Sequence, residues 1–154
     1  SSPSRGLGDV YKRQLQRTLR NIMWEYGGVV KTEEKIKKGL DEIQSLKEAS
    51  KNLDVRPDSE GYQDLMLAFD LEASLVSSES TLLSALDRKE SRGAHQREDY
   101  PELSEDEDVN IRIGLDTDKN INLQREPISS LSKELENIIN QTKEISNFEG
   151  MLLE

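Results

Sequence analysis

The chain has 154 residues, 33% hydrophobic and 34% charged, with a net charge of −10, which is one domain's worth of polypeptide with a thin core. An acidic chain with a pI near 4.7 does not suit a phosphate backbone or an anionic membrane surface, where affinity comes from clustered Lys and Arg. The absence of cysteine excludes a disulfide framework, a thiolate nucleophile, an iron–sulfur cluster and a Cys-based zinc site.

Ser1 to Gln14 is Gly/Ser/Pro-rich and basic, unlike the acidic remainder, and the chain starts without Met. The stretch resembles a translated adapter sequence, so residues 1–14 are expected to be non-native and are set aside from fold reasoning. No apolar central region marks a signal peptide, and no apolar run reaches the ~18–20 residues of a membrane span. Direct membrane insertion is not expected.

Apolar residues at Leu15, Leu19, Ile22, Met23 and Tyr26 share one helical face, ended by Gly27-Gly28. Trp24, beside Ile22-Met23, is expected to be partial core rather than a stacking platform. Val29 and Val30 form a short extended link. Thr32 suits a helix cap, with Glu33 and Glu34 in the first turn. Ile36, Leu40, Ile43 and Leu46 then mark a narrow stripe to about Ser50. Asn52 to Gly61 reads as a loop around Arg56-Pro57-Asp58. A third helix is expected over about Tyr62 to Ser91. Its buried face would be Leu65, Met66, Phe69, Ala73, Val76, Leu83 and Leu86, widened by Leu71, Leu75 and Leu82.

Gly93 is expected as a left-handed stop at the end of that helix. The segment Glu102 to Asp108 reads as a solvated acidic loop, with calcium held by loose carboxylates as the lesser alternative. Ile111, Ile113 and Leu115 alternate with polar residues, as do Ile121 and Leu123. Asp116-Thr117-Asp118-Lys119 between them completes a β-hairpin pattern, which needs a surface to lie on. After Pro127, Ser129 or Ser130 could cap a last amphipathic helix carrying Ile128, Leu131, Leu135, Ile138, Ile139 and Ile145. The expected class is therefore mainly α. A spectrin-repeat-like three-helix bundle spans 15–93 and a charged signature with its acidic loop spans 94–108. A hairpin follows over 109–126, then a C-terminal helix and tail over 127–154.

The densest mix of charge, Gly and Pro lies at residues 88–101 and holds the sole histidine, His95. One histidine without cysteine makes a poor metal site, and no nucleophile–base pair is legible around it. His95 is expected to be a structural or interface residue. Arg92 and Arg97 could grip a carboxylate substrate, but pairing with Glu90, Glu98 or Asp99, or with another domain, is the simpler expectation.

Glu90-Ser91-Arg92-Gly93-Ala94-His95, followed by Arg97-Glu98-Asp99-Tyr100-Pro101, resembles the signature in the C-terminal helical domain of succinate dehydrogenase and fumarate reductase flavoprotein subunits. A weaker resemblance extends from about Leu15 to about Ile128. L-aspartate oxidases are similar here, but commonly carry a bulkier residue at the place of Ala94 and lack the Arg97-Glu98 pair. Many succinate dehydrogenase subunits have a Trp and a His-Thr pair where this chain reads Asp108-Val109-Asn110-Ile111-Arg112. The resemblance implies a fragment of an FAD-dependent oxidoreductase whose parent interconverts succinate and fumarate. The fragment would scaffold the parent's FAD-binding domain, with an iron–sulfur subunit as a further partner and no nucleic acid. Its location would be cytoplasmic, at the inner face of the inner membrane where partner subunits anchor it.

The family's substrate-binding residues lie upstream of this chain, so no catalytic, cofactor-binding or metal residue is expected here, and FAD would belong to the parent alone. Glu90, Ser91, Arg92, Gly93, His95, Arg97 and Asp99 are expected at the domain interface. The alternatives are an L-aspartate oxidase C-terminal domain, or a non-enzymatic acidic helical module whose Ile36–Leu46 and Ile128–Ile139 stripes pair with partner helices.

Overall fold

The computed structural model describes residues 5–53, 55 and 62–151, with side chains over 11–143 of that span. The loop expected around Arg56-Pro57-Asp58 and the side chain of Ile145 lie outside the described residues. Three helices pack together: α1 (Arg5–Tyr26), α2 (Glu33–Ser50) and α3 (Gln63–Asp87). Two short strands, β1 (Val30–Lys31) and β2 (Gln96–Arg97), pair in parallel. A 3-10 turn at Glu105–Glu107 leads into an antiparallel hairpin of β3 (Val109–Leu115) and β4 (Ile121–Pro127), and α4 (Lys133–Met151) follows.

The bundle core is Leu15, Leu19 and Ile22 of α1, Ile36, Ile43 and Leu46 of α2, and Leu71, Leu75, Leu82 and Ala85 of α3. Thr32 caps α2 as its sequence suggests: its backbone is extended and its side chain accepts a bond from the Lys35 amide. Gly39 lets α2 approach its neighbours, because a Cβ there would meet Tyr26 Cβ at 2.7 Å and Leu82 Cδ1 at 2.8 Å. The stripe on α2 is spent inside the bundle, so it is not free to pair with a partner helix.

Several expectations need correction. Helix α1 begins at Arg5, and Lys12 is buried in an ion pair with Asp64. Helix α3 buries the Leu71, Leu75, Leu82 edge, while Met66 and Phe69 are both 61% exposed. The expected face was broad enough to contain two stripes, and α1 and α2 cover only one of them. Trp24 is 87% exposed rather than partial core. Helix α3 also stops at Asp87, four residues short of Ser91. Gly93 is left-handed, with φ of 57°, but does not end a helix. It sits with Ala94 in a two-residue turn closed by reciprocal bonds between Arg92 and His95, a position where Gly is favoured.

The hairpin runs in register from Val109↔Pro127 to Leu115↔Ile121. Ile111, Ile113, Ile121 and Leu123 are half-buried while the residues between them in each strand are largely exposed, so the alternation marks the face turned to α3. Ion pairs Arg125–Asp87 and Lys119–Glu72 tie the hairpin to that helix. Ser132, not Ser129 or Ser130, caps α4: its hydroxyl accepts from the Leu135 amide at 3.3 Å. The apolar stripe formed by Leu131, just ahead of α4, and by Leu135, Ile138 and Ile139 within it is exposed.

Candidate functional site

The signature folds into a compact knot against the end of α3. Arg97 lies at its centre, 1% exposed. Its Nη1 donates to the carbonyls of Ala85 at 2.7 Å, Leu86 at 3.3 Å and Arg88 at 3.1 Å. These are the orphan acceptors of a helix C-terminus, and a cation there also suits the helix dipole. This explains why α3 ends where it does. The other edge of the guanidinium pairs with both Asp99 oxygens, the forked geometry that only Arg offers. Asp99 Oδ2 in turn accepts from the Glu33 amide at 3.0 Å, the first residue of α2. The Arg97 guanidinium stacks 4.9 Å from the Tyr100 ring centroid.

Glu90 forms a second centre and is fully buried. Its carboxylate accepts from Arg92 Nε at 2.8 Å, Arg88 Nη1 at 2.7 Å and the Ser104 amide at 3.0 Å. Arg88 continues to the carbonyls of Glu107 and Val109 at 2.8 and 2.7 Å, joining the signature to the hairpin. Arg92 also reaches Asp108 at 3.2 Å. Ser91 Oγ accepts from the Arg97 amide at 2.9 Å and donates to the Tyr100 carbonyl at 2.9 Å. His95 Nε2 lies 3.2 Å from the Arg88 carbonyl, which assigns the ring proton to that nitrogen.

The electrostatics follow. The bond from Arg92, reinforced by the Ser104 amide and Arg88, holds Glu90 down at about 2 against burial, which opposes it. The bond from Arg97 lowers Asp99 to about 2. Burial, then the charges of Lys31, Arg97 and Arg88, pushes His95 below its ordinary range despite the Arg88 carbonyl, so the ring is neutral near pH 7.

The structure thus brings Glu90, Ser91, Arg92, His95, Arg97 and Asp99 together, while Glu98 stays outside the cluster. Sequence reasoning gave no role to Arg88 or Lys31. It also placed Glu107 in a solvated loop, whereas Glu107 is 7% exposed and pairs with Arg125 at 2.6 Å. Among the described residues, no cluster of three potential ligands could hold a metal ion. No described helix is long and apolar enough to cross a membrane.

An FAD site can be tested on the same geometry. Dinucleotide binding needs a glycine-rich strand-to-helix turn whose helix N-terminus receives the pyrophosphate. The junction between β1 and α2 is Lys31-Thr32-Glu33, without glycine, and Asp99 already occupies the Glu33 amide. This junction does not fit a dinucleotide's pyrophosphate.

Comparison with known proteins places this arrangement. The chain is similar to an uncharacterised FAD-dependent oxidoreductase of Methanocaldococcus jannaschii, 39% identical over 106 residues that make up 69% of this chain and 19% of the relative. It is similar to an L-aspartate oxidase of Acinetobacter baylyi, 36% identical over 63% of this chain and 17% of the relative. Among solved structures it resembles the quinol fumarate reductase of E. coli, with a TM-score of 0.69 and 28% identity over 79% of this chain and 22% of that one. The chain therefore spans about a fifth of the length of the relatives it matches. The family model for the fumarate reductase flavoprotein C-terminus matches residues 16–145, and the chain belongs to that family.

Proposed function

We propose that this chain is the C-terminal domain of a longer FAD-dependent flavoprotein that interconverts succinate and fumarate, and that its own role is to scaffold the FAD-binding domain. The observation that carries the reading is the family match over residues 16–145. The site geometry supports a scaffold: Glu90 is taken up by Arg88 and Arg92, and Arg97 by Asp99 and the carbonyls at the end of α3. The hydride chemistry would come from the parent's flavin. Glu90, Ser91, Arg92, Gly93, His95, Arg97 and Asp99 would lie at or near the contact with the FAD domain, with Arg92, Gly93 and Ala94 on the exposed side of the knot. An iron–sulfur subunit is a further partner of the parent, and a cytoplasmic location at the inner membrane face follows from such an assembly.

An L-aspartate oxidase parent is the second reading, favoured by the Acinetobacter relative. Ala94 and the Arg97-Glu98 pair support the succinate/fumarate reading instead.

The test is to read the source DNA on the 5′ side of the Leu15 codon. A continuing frame that encodes a glycine-rich dinucleotide-binding turn is expected, with residues 1–14 replaced by native sequence. A start codon directly preceding Ser1 in the source gene would overturn it. The isolated chain, mixed with FAD and desalted, is expected to carry no flavin absorbance; a stoichiometric yellow chromophore would refute the scaffold role.

A further inference from the structure

We propose that the cleft between β1, the end of α3 and β3 is a carboxylate-binding site seated on Lys31. The cleft, of about 530 Å³, is lined by Lys31, Ser84, Arg88, His95, Ile111 and Ile113 among others. Its existence does not depend on the identity of the parent enzyme.

Lys31 is 6% exposed, and its Nζ donates to the Val29 carbonyl at 3.1 Å. No carboxylate pairs with it among the described residues. The other buried cations do better: Arg97 holds Asp99 and Lys12 holds Asp64. Lys31 also stands directly opposite Arg97 in the β1–β2 register, so a second positive charge lies beside it. A buried ammonium without an acid is costly, and neutralising it inside the protein is favourable. Burial and then the Arg97 charge lower the Lys31 pKa, as expected of a cation short of a counter-charge.

The surroundings narrow the ligand. Arg88 is committed to Glu90 and to two carbonyls, and Arg97 to Asp99, so the surplus is one positive charge. Ile111 and Ile113 make one wall apolar. A phosphate dianion would face one free cation and a dry wall. A carboxylate on a short alkyl body matches both features: one charge for Lys31 and methylenes for the isoleucines. It could arrive as a free aliphatic acid or, on the proposed reading of this chain as one domain of a longer flavoprotein, as an Asp or Glu side chain of another domain.

His95 lines the cleft and is the sole histidine, so its imidazole Cε1–H proton gives one recognisable NMR signal. Propionate and hexanoate are titrated into the full chain at constant pH and at an ionic strength held with sodium chloride. A saturable shift of the His95 signal in propionate, absent with chloride, is expected, with a dissociation constant in the millimolar range. Lys31→Met should weaken binding roughly tenfold or more. Because the Lys31 charge has no partner acid, this variant is expected to melt no lower than the parent chain. Ile111→Trp, which narrows the cleft without touching a charge, should also weaken propionate. N-acetyl-glutamate N-methylamide, titrated alongside as a mimic of a side-chain carboxylate, separates the two sources: hexanoate tighter than the mimic identifies a free aliphatic acid, and the mimic tighter than hexanoate identifies a side chain. No saturation below about 100 mM with either acid, or saturation that survives both variants, overturns the site.

Discussion

Arg97 and Asp99 form a forked pair, Nε to Oδ1 at 2.8 Å and Nη2 to Oδ2 at 2.7 Å, that joins the C-terminus of α3 to the N-terminus of α2. Two residues, two apart in sequence, satisfy the carbonyls of one helix and an amide of the other. Arg97 is buried while the Asp99 side chain stays partly exposed, so losing Arg97 leaves Asp99 to water but strips the buried α3 carbonyls of their donor, at a cost of about 1–3 kcal/mol. Arg97→Ala is therefore expected to lose about that much stability in urea denaturation. Arg97→Lys should recover less than half of it, because an ammonium cannot engage both Asp99 oxygens and the α3 carbonyls together. Full recovery by lysine would mean that charge alone, not the fork, holds the helix ends.

Glu90 and Asp99 should make the fold acid-sensitive. Their carboxyls stand at about 2 in the folded chain, against 4.5 and 3.8 for unperturbed groups. The unfolded chain binds protons more readily, so unfolding is favoured as pH falls. The stabilisation is fully present above about pH 5 and is lost as pH drops toward 2. The urea midpoint is expected to fall steadily across that window. Glu90→Gln should lower the midpoint at pH 7 and flatten the slope below pH 5. An unchanged slope in Glu90→Gln would show that Glu90 does not carry the linkage.

Much of the fold was legible because its signals are local. The Ile36, Ile43, Leu46 spacing, the Thr32 cap and the alternation of Ile111 and Ile113 each depend on a few neighbouring residues, and each appears where the pattern placed it. The pairing of Arg92 with Glu90 and of Arg97 with Asp99 was legible too, but the way the charged knot closes on the end of α3 was not, because its geometry depends on backbone state. Arg88, Glu90 and Arg92 are spaced by two, as are Arg97 and Asp99. On a helix such pairs do not face each other, whereas in an extended chain they share a side. Extending α3 to Ser91 hid the part that Arg88 plays beside Glu90. Lys31 carried no signal at all, since its burial arises from β1 pairing with β2, 66 residues along the register from Val30 to Gln96. The buried face of α3 was misjudged for a similar reason: the helix is apolar on two sides, and only packing decides which is covered.

Gly39 offers a test in which two effects oppose each other. Replacing a helix-interior glycine by alanine usually gains about 1 kcal/mol of helix propensity. Here the new methyl would sit 2.7 Å from Tyr26 Cβ and 2.8 Å from Leu82 Cδ1. Overpacking of this kind costs about 1–3 kcal/mol, and Tyr26 Cβ is too close to its backbone to swing away. Gly39→Ala is expected to be destabilising by about 1 kcal/mol net, read as a lowered thermal midpoint. A raised midpoint would show that α1 and α2 can separate freely.

Met66 and Phe69 of α3, both 61% exposed, lie one turn apart on the side of the helix away from Leu71 and Leu75. Lone exposed apolar residues are ordinary, but neighbours on one helix face form a patch that seeks cover. In a scaffold domain, that cover is another part of the parent chain. The isolated chain should therefore bind a hydrophobic dye or self-associate as its concentration rises. The double change Met66→Ser and Phe69→Ser removes apolar surface without opening a cavity, so it should leave stability within about 0.5 kcal/mol. It should also suppress the dye signal and the association, measured by fluorescence and sedimentation. A loss of stability similar to that of a core truncation, about 2–5 kcal/mol, would instead mean that these side chains are covered within the chain itself. Dye binding that persists undiminished would move the sticky surface to the exposed stripe of α4, at Leu135, Ile138 and Ile139.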